Sequence, residues 1–317
     1  MSGPSISVLV PVFNEAESLP ELHPELVRAL ESLGRRPWEI LYVDDGSRDG
    51  SDAVIADLAA RDPRVRGVSF RRNFGKSAAL SVGFRMADSD WVATIDADLQ
   101  DDPAELPRLV AALEGGLDLV SGWKQERRDP LTKTAPSRLF NAVTGAVAGV
   151  RLHDFNCGFK LYRREVVESI EVYGELHRFL PALAHWRGFR VGEVAVNHRP
   201  RKYGRSKYGA SRFVNGFLDL LSAAFLSTSA LKPLHLFGRI GLMFLGVGLL
   251  VGIGFVIQWL GGSPIRVRPL MLFGVGLVLL GIQFILMGLL GEMIARLHAP
   301  RAEYPIRARY NYEGTGG

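Results

Sequence analysis

Short apolar runs alternate with amphipathic stretches over the first 125 residues of the chain. The runs 6–13, 38–45, 65–70, 91–98 and 117–123 are rich in valine and isoleucine and lack polar alternation, which predicts strands buried on both faces. Between them, 16–33, 51–61, 76–87 and 103–113 carry the apolar spacing of helices. Pro103 suits a first helical position, just after the candidate caps Asp101 and Asp102. Strand and helix in alternation predict an α/β fold, a mostly parallel sheet with helices on both faces. After residue 125 the pattern loosens to a basic stretch leading into a helix, a strand near 158–162, a helix near 176–186 and a strand at 191–197.

Two later stretches are of another kind. Residues 240–260 hold no charge, and 269–291 have only Gln283 as a strongly polar residue. At about 1.5 Å per residue each reaches roughly 30 Å, the thickness of a bilayer's hydrocarbon core. Both are predicted transmembrane helices. Residues 213–231 carry one charge, Asp219, but Asn, Ser and Thr interrupt them, which predicts helices lying in the interface. The expected organisation is a globular domain at 1–210, interfacial helices at 211–233, a two-helix anchor at 234–295 and a tail at 296–317.

No basic region precedes the first apolar run, which is too short for a signal peptide. Arg199, Arg201, Lys202, Arg205, Lys207, Arg212, Lys232 and Arg239 precede the first span, and Arg296, Arg301, Arg307 and Arg309 follow the second. Only Arg266 and Arg268 lie between the spans. This asymmetry predicts a multi-pass protein of the plasma membrane with its globular domain and both ends in the cytoplasm. The single cysteine, Cys157, excludes an intrachain disulfide and fits a reducing compartment. A net charge of +5 suits an anionic membrane surface, phosphate ligands or nucleic acid equally, and selects none of them.

Parallel α/β sheets bind ligands beyond the carboxyl ends of their strands. Polar residues crowd those positions here: Asn14 and Glu15, Asp44 and Asp45, Arg71 to Asn73, and Asp96 and Asp98. Asp96-Ala97-Asp98 ends the fourth predicted strand, where alternate side chains share a side and two carboxylates can converge on one hard cation, Mg2+ or Mn2+. Asp45 can accept from a nucleobase N–H or a ribose hydroxyl, while Asp-Gly-Ser is equally good turn chemistry ahead of Ser51, and the two are compatible with Asp45 binding and Asp49 turning. The segment 11–17 has no glycine to let a backbone approach pyrophosphate, which disfavours a dinucleotide fingerprint. Between Arg199 and Arg212 there are six basic residues and no acid, fitting either anionic lipid headgroups or a glycine-containing loop that closes on a diphosphate.

In order, the segments VPVFNEAESLPEL, VDDGSRDGS, RNFGKSAAL, DADLQDDP, DFNCGFKLYRREV and RKYGRSKYG resemble the family-2 inverting glycosyltransferases of GT-A fold, a Rossmann-like architecture. Within them the chain is similar to the polyprenyl-phosphate glycosyltransferases, such as dolichol-phosphate mannose synthases and undecaprenyl-phosphate glucosyl- and aminoarabinose transferases. The resemblance runs from Ile6 to about Arg296.

It implies that Pro11, Phe13, Glu15 and Asp45 hold the donor nucleoside, with Phe13 where many relatives have Tyr. It further implies that Asp96, Ala97 and Asp98 meet the donor diphosphate, and that Asp96, Asp98 and Gln100 meet the Mg2+ or Mn2+ ion. Arg201 and Lys207 would neutralise the diphosphate, Asp154 would be the catalytic aspartate, and Lys124, Lys133 and Ser137 would bind the acceptor phosphate. The implied reaction passes a sugar from a UDP- or GDP-sugar to undecaprenyl or dolichyl phosphate. Membrane lipid is a further partner, nucleic acid is not, and a homo-oligomer is left open. The alternative is another glycan or lipid acceptor. A processive polysaccharide synthase is disfavoured because Ala184-His185-Trp186-Arg187 does not match Q-x-x-R-W, and a non-catalytic scaffold because Asp96, Asp98, Asp154, Arg201 and Lys207 are intact.

Overall fold

The computed structural model describes residues 3–34, 36–125, 141, 144–146, 148–200, 202–203, 233–262, 269–295 and 306–311. Strand β1 (Ile6–Val12) leads through α1 (Leu19–Ser32) to β2 (Trp38–Asp44), and α2 (Ser51–Arg61) leads to β3 (Val65–Phe70). Helix α3 (Lys76–Met86) then returns the chain to β4 (Trp91–Thr94). Next come a 3-10 turn (Pro103–Glu105), α4 (Leu106–Glu114), β5 (Leu119–Lys124), β6 (Lys160–Arg163), α5 (Arg164–Ser169), α6 (Leu180–Trp186) and β7 (Val191–Val196). Two long helices, α7 (Pro233–Leu260) and α8 (Pro269–Ala295), precede β8 (Ile306–Tyr310). The side chain of Asp102 accepts from the Ala104 N–H and caps the turn at Pro103. Asp101 instead forms a bridge with His198.

The described strands form one sheet in the order β7-β5-β6-β4-β1-β2-β3-β8. Strands β1, β2, β3 and β4 run parallel, whereas β6 is antiparallel to β4 and β5, and β8 is antiparallel to β3. Alternation along β1 sends Ile6, Val8, Val10 and Val12 into one apolar layer with α1, α2 and α4, and Leu9 into the other with α3. Burial on both faces is what the unbroken valine and isoleucine runs require.

From β1 the chain builds β2 and β3 on one side, then crosses to place β4 on the other. This is the topological switch at which such sheets open a crevice. Here the crevice has a specific cause. Strand β1 pairs with β2 along its whole length, from Ile6 to Val12, but with β4 only from Ile6 to Leu9. The Ile95 N–H bonds to the Leu9 carbonyl at 3.1 Å as the chain leaves β4, so Val10, Pro11 and Val12 run on past β4. The predicted strand 91–98 therefore stops at Thr94, and Asp96 and Asp98 lie in the turn that follows.

Two compact units make up the chain, one comprising residues 1–223 and 303–317, the other residues 224–302. In the second, Phe237–Leu260 and Pro269–Gly291 are long and apolar enough to cross a membrane. The two helices meet at glycines: a Cβ on Gly241 would lie 2.7 Å from the Gly281 carbonyl, and one on Gly281 would lie 2.7 Å from the Gly241 carbonyl. Close backbone approach at small residues is the usual way membrane helices pack. Apolar side chains such as Leu250, Ile257 and Leu286 face outward. The interfacial prediction for 211–233 falls outside the described residues up to 232.

The predicted tail 296–317 is not merely a tail, since its Ile306–Tyr310 segment is the edge strand beside β3. Asn311 locks it there. Its φ of 48° is a left-handed conformation that Asn tolerates, and its side-chain amide donates to the carbonyls of Ala59 and Val65, the latter at 2.9 Å. Arg307 adds an ion pair with Asp52 at 3.6 Å. Replacing Asn311 by Ala should destabilise this unit by about 1–2 kcal/mol, the cost of carbonyls left without a donor plus left-handed strain. A thermal melt of the full chain checks this, and an unchanged melt would mean that β8 does not dock.

Candidate active site

A cleft of about 360 Å3 opens where β1 outruns β4. Pro11, Phe13, Glu15, Asp45, Asn73, Asp96, Ala97, Asp98, Gln100 and Lys124 line it, all singled out by the sequence, together with Lys76, Asn156 and His177, which were not. Arg201, Lys207, Lys133 and Ser137 lie outside the described residues. Asp154 is buried and does not line the cleft. Its Oδ1 accepts from the Asn156 N–H at 3.1 Å, a turn that carries Asn156 rather than Asp154 into the open space.

The side of the cleft beyond β1 and β2 is bolted together by hydrogen bonds between loops. The Asn14 N–H donates to Ser47 Oγ at 2.8 Å, the Arg48 N–H to Asn14 Oδ1 at 2.9 Å, the Glu15 N–H to Ser51 Oγ at 2.9 Å and the Ala16 N–H to Asp49 Oδ2 at 2.9 Å. Asn14 takes a left-handed φ of 57° to reach this pairing, which leaves the Phe13 ring 37% exposed at the rim. The two neighbouring aspartates divide their work. Asp44 is internal, accepting from the Ser47 N–H at 3.0 Å and from the Ser69 hydroxyl at 2.5 Å. Asp45 faces the cleft and accepts from Asn73 Nδ2 at 2.8 Å and from the N–H groups of Phe74 and Gly75 at 2.7 and 2.8 Å. A carboxylate offers about four lone-pair directions, so one remains for a ligand. Burial pushes the Asp45 carboxyl pKa up, against the pull of those two backbone donors. Both readings of this loop thus have a residue: Asp49 makes the turn ahead of Ser51, its Oδ1 accepting from the Ser51 N–H at 3.0 Å, and the cleft-facing acceptor is Asp45.

Opposite stands the Asp96 turn. Leu99 adopts a left-handed φ of 60°, strain that a buried non-glycine residue adopts only when its surroundings enforce it. The Gln100 N–H closes the turn on Asp98 Oδ1 at 3.2 Å. Strand β6 brings the Asp154–Lys160 segment alongside, with Thr94 in register with Lys160 and the Thr94 hydroxyl donating to the Gly158 carbonyl at 2.8 Å. Gly158 makes the seat of Asp96, because a Cβ there would lie 2.4 Å from Asp96 Oδ2.

Charge fixes the ionisation of this turn. Burial works against ionising Asp96, but Lys76 at 2.5 Å, then Lys124 and Lys160, outweigh it and hold its pKa down to about 2. Lys124 is itself buried, which works against its charge, yet Asp101 at 2.9 Å raises its pKa. His177 accepts or donates at Nδ1 to the Ser77 hydroxyl at 2.9 Å. Burial first, then Lys76 and Arg178, push its pKa well below the ordinary histidine value, so the ring is neutral at pH 7.

The basic run 199–212 begins under restraint. Arg199 pairs with Glu25 at 2.7 Å and Asp102 at 2.8 Å, and Lys202 pairs with Glu21 at 2.7 Å, where the Tyr203 hydroxyl also donates at 2.6 Å. Those two cations are spoken for by α1 and the Asp102 turn.

Asp96, Asp98 and Gln100 offer oxygen donors only, the donor set of a hard cation. No group of three or more His, Cys, Asp or Glu suited to a metal occurs among the described residues. An ion here would complete its shell with water or ligand phosphate, as Mg2+ and Mn2+ sites do. The residues fit such an ion.

Residues 7–171 match the family model for glycosyl transferase family 2. The chain is 39% identical over 300 residues to the dodecaprenyl-phosphate galacturonate synthase of Rhizobium johnstonii, covering 92% of this chain and 88% of that one. It is 38% identical over 314 residues to the undecaprenyl-phosphate 4-deoxy-4-formamido-L-arabinose transferase of an Enterobacter species, covering 97% and 91%. Among solved structures, glucosyl-3-phosphoglycerate synthase from Mycobacterium tuberculosis, in complex with Mn2+, UDP-glucose and phosphoglyceric acid, superposes with a TM-score of 0.57 at 20% identity. That match covers 73% of this chain and 83% of the other and concerns the fold. With the relatives matched along nearly their whole length, the chain belongs to glycosyl transferase family 2.

Proposed function

We propose that this chain transfers a sugar from a nucleotide diphosphate sugar to a polyprenyl phosphate at a membrane surface, inverting the anomeric carbon. One observation carries the reading: a single cleft holds the nucleoside-side residues Pro11, Phe13, Glu15 and Asp45 opposite the oxygen donors Asp96, Asp98 and Gln100. The two relatives named for polyprenyl-phosphate products, and the Mn2+ and UDP-glucose of the M. tuberculosis enzyme, support the same substrate classes.

The Phe13 ring packs on the nucleoside, and Asp45 uses its remaining lone pair on a base or ribose donor. Asp96, Asp98 and Gln100 would hold Mg2+ or Mn2+, which supplies positive charge where the diphosphate leaves. Arg201 and Lys207 neutralise the same leaving group. Lys124, with Lys133 and Ser137, binds the acceptor phosphate. That nucleophile has a second pKa of about 6, so it is already ionised near neutral pH and needs little help from a base. Asp154 is accordingly a positioning residue, holding the turn that puts Asn156 in the cleft.

Membrane topology follows the same reading. A chain that leaves the sheet after β7 and returns to it as β8 crosses a bilayer an even number of times, and α7 and α8 supply two crossings. The basic flanks then orient the sheet towards the cytoplasmic side of the plasma membrane.

Asp96→Asn and Asp98→Asn should each lower the transfer rate by about 100-fold or more, the scale of losing one preorganised electrostatic contact. EDTA should do the same to the unaltered protein. Full transfer activity in chelator would contradict the metal assignment. The pH profile offers a separate check. With its pKa held to about 2, Asp96 stays ionised across the assay range and adds no acid limb. The rate should instead fall as pH drops through about 6, where the acceptor phosphate takes up a proton. An acid limb that stays in place when a phosphonate acceptor of higher pKa is used would show that an enzyme group sets it.

A further inference from the structure

Asp96 feels three lysines, and they are not equivalent. Lys124 pairs with Asp101 at 2.9 Å, and Lys160 donates to the Cys157 carbonyl. Lys76 holds Asp96 Oδ1 at 2.5 Å and has no other hydrogen bond or ion pair among the described residues. Its side chain is 31% exposed in the cleft, at the first position of α3. Of the three ammonium groups it alone can leave without breaking a second contact. The carboxylate cannot follow it. Asp96 rests against Gly158, where even a Cβ would come within 2.4 Å of Oδ2 and 2.7 Å of Oδ1, so ligands meet it from the cleft side.

We propose that Lys76 is a displaceable counter-ion: it neutralises Asp96 until a divalent cation binds there, then moves to an anionic oxygen of the donor. The inference rests on the metal reading of Asp96, Asp98 and Gln100. An ammonium and a divalent cation repel strongly at contact distance, so both cannot sit on one face of a single carboxylate. Once displaced, the flexible four-carbon stem lets the ammonium reach an oxyanion elsewhere in the same cleft. That oxyanion is either a diphosphate oxygen or a carboxylate on the sugar. The consequence is linkage. The ion binds weakly by itself and more tightly once the donor offers Lys76 a new partner, and by reciprocity the donor binds more tightly with the ion present. Lys76 would thus make metal and nucleotide sugar enter as a pair.

The test is a Mn2+ titration of the full chain in detergent micelles, following the free ion by electron paramagnetic resonance. Wild type, Lys76→Met, Lys76→Gln, Lys76→Arg and Asp98→Asn are compared alone and with UDP, UDP-glucose and UDP-galacturonate. Lys76→Met and Lys76→Gln should bind Mn2+ alone about tenfold more tightly than wild type and lose most of the tightening that a donor brings, a change within the usual range of coupling between sites. Lys76→Arg, which keeps the charge, should behave as wild type does. Tightening with UDP and UDP-glucose that wild type shows and Lys76→Met lacks places the released ammonium on the diphosphate, because direct ligation of the ion by phosphate is common to both proteins; such a difference with UDP-galacturonate alone places it on a sugar carboxylate. Equal Mn2+ affinity in wild type, Lys76→Met and Lys76→Gln, with binding lost in Asp98→Asn, would overturn the role of Lys76 and leave the metal site standing. Mn2+ binding that is absent from wild type with every donor would bring down the metal reading beneath it.

Discussion

Strand β4 gives up its pairing with β1 at Leu9–Thr94, and most of the chemistry depends on that early stop. Had the two strands stayed paired to Val12, the Asp96 carboxylate would be a sheet residue and no cleft would open above Pro11. Instead the chain turns through a strained Leu99, which leaves Asp96, Asp98 and Gln100 beside the exposed end of β1. Pro11 suits this place, since it has no N–H to leave unpaired where β4 has departed.

The two sides of the cleft are built on different principles. The side at the ends of β1 and β2 is rigid, because the loop after β1 and the loop after β2 satisfy one another's hydrogen bonds and Asp45 draws in the loop after β3. That rigidity suits the nucleoside role proposed for it. The Asp96 side is held by charge balance among Asp96, Asp101 and lysines 76, 124 and 160. Such a balance changes whenever an ion or a diphosphate enters. Rigid recognition beside adjustable charge is what a group transfer with a highly charged leaving group needs.

Much of the fold was legible because the core strands are buried on both faces and announce themselves as apolar runs. Residues 65–70 and 51–61 correspond residue for residue to β3 and α2. The strand predicted at 91–98 overran because Ile95, Ala97 and Leu99 are buried although the backbone has already turned. Apolar spacing reports burial, not hydrogen-bond pairing. Strand β8 was hidden differently: Ile-Arg-Ala-Arg-Tyr alternates as a half-exposed edge strand should, but its partner β3 is more than two hundred residues away in sequence. Of the site, the carboxylates were visible as motifs at strand ends. Lys76 and His177 were not, although Lys76 stands inside the quoted RNFGKSAAL segment, because only the fold reveals that α3 starts over Asp96 and that His177 packs against Ser77. Within the motif headed by Asp154, it is Asn156 that the turn brings to the cleft, which the sequence did not signal.

The central claim is that one cleft receives a nucleotide sugar and a lipid phosphate and joins the sugar to the phosphate. Its most direct measurement is the product itself. The full chain in micelles would be incubated with a panel of UDP- and GDP-sugars and a polyprenyl phosphate, and the lipid fraction read by mass and by the NMR coupling of its anomeric proton. The account expects a single lipid-linked product whose mass equals polyprenyl phosphate plus one sugar residue, with the anomeric configuration opposite to that of the donor. Donor consumed only to free sugar, or a lipid-linked sugar of retained configuration, would contradict it.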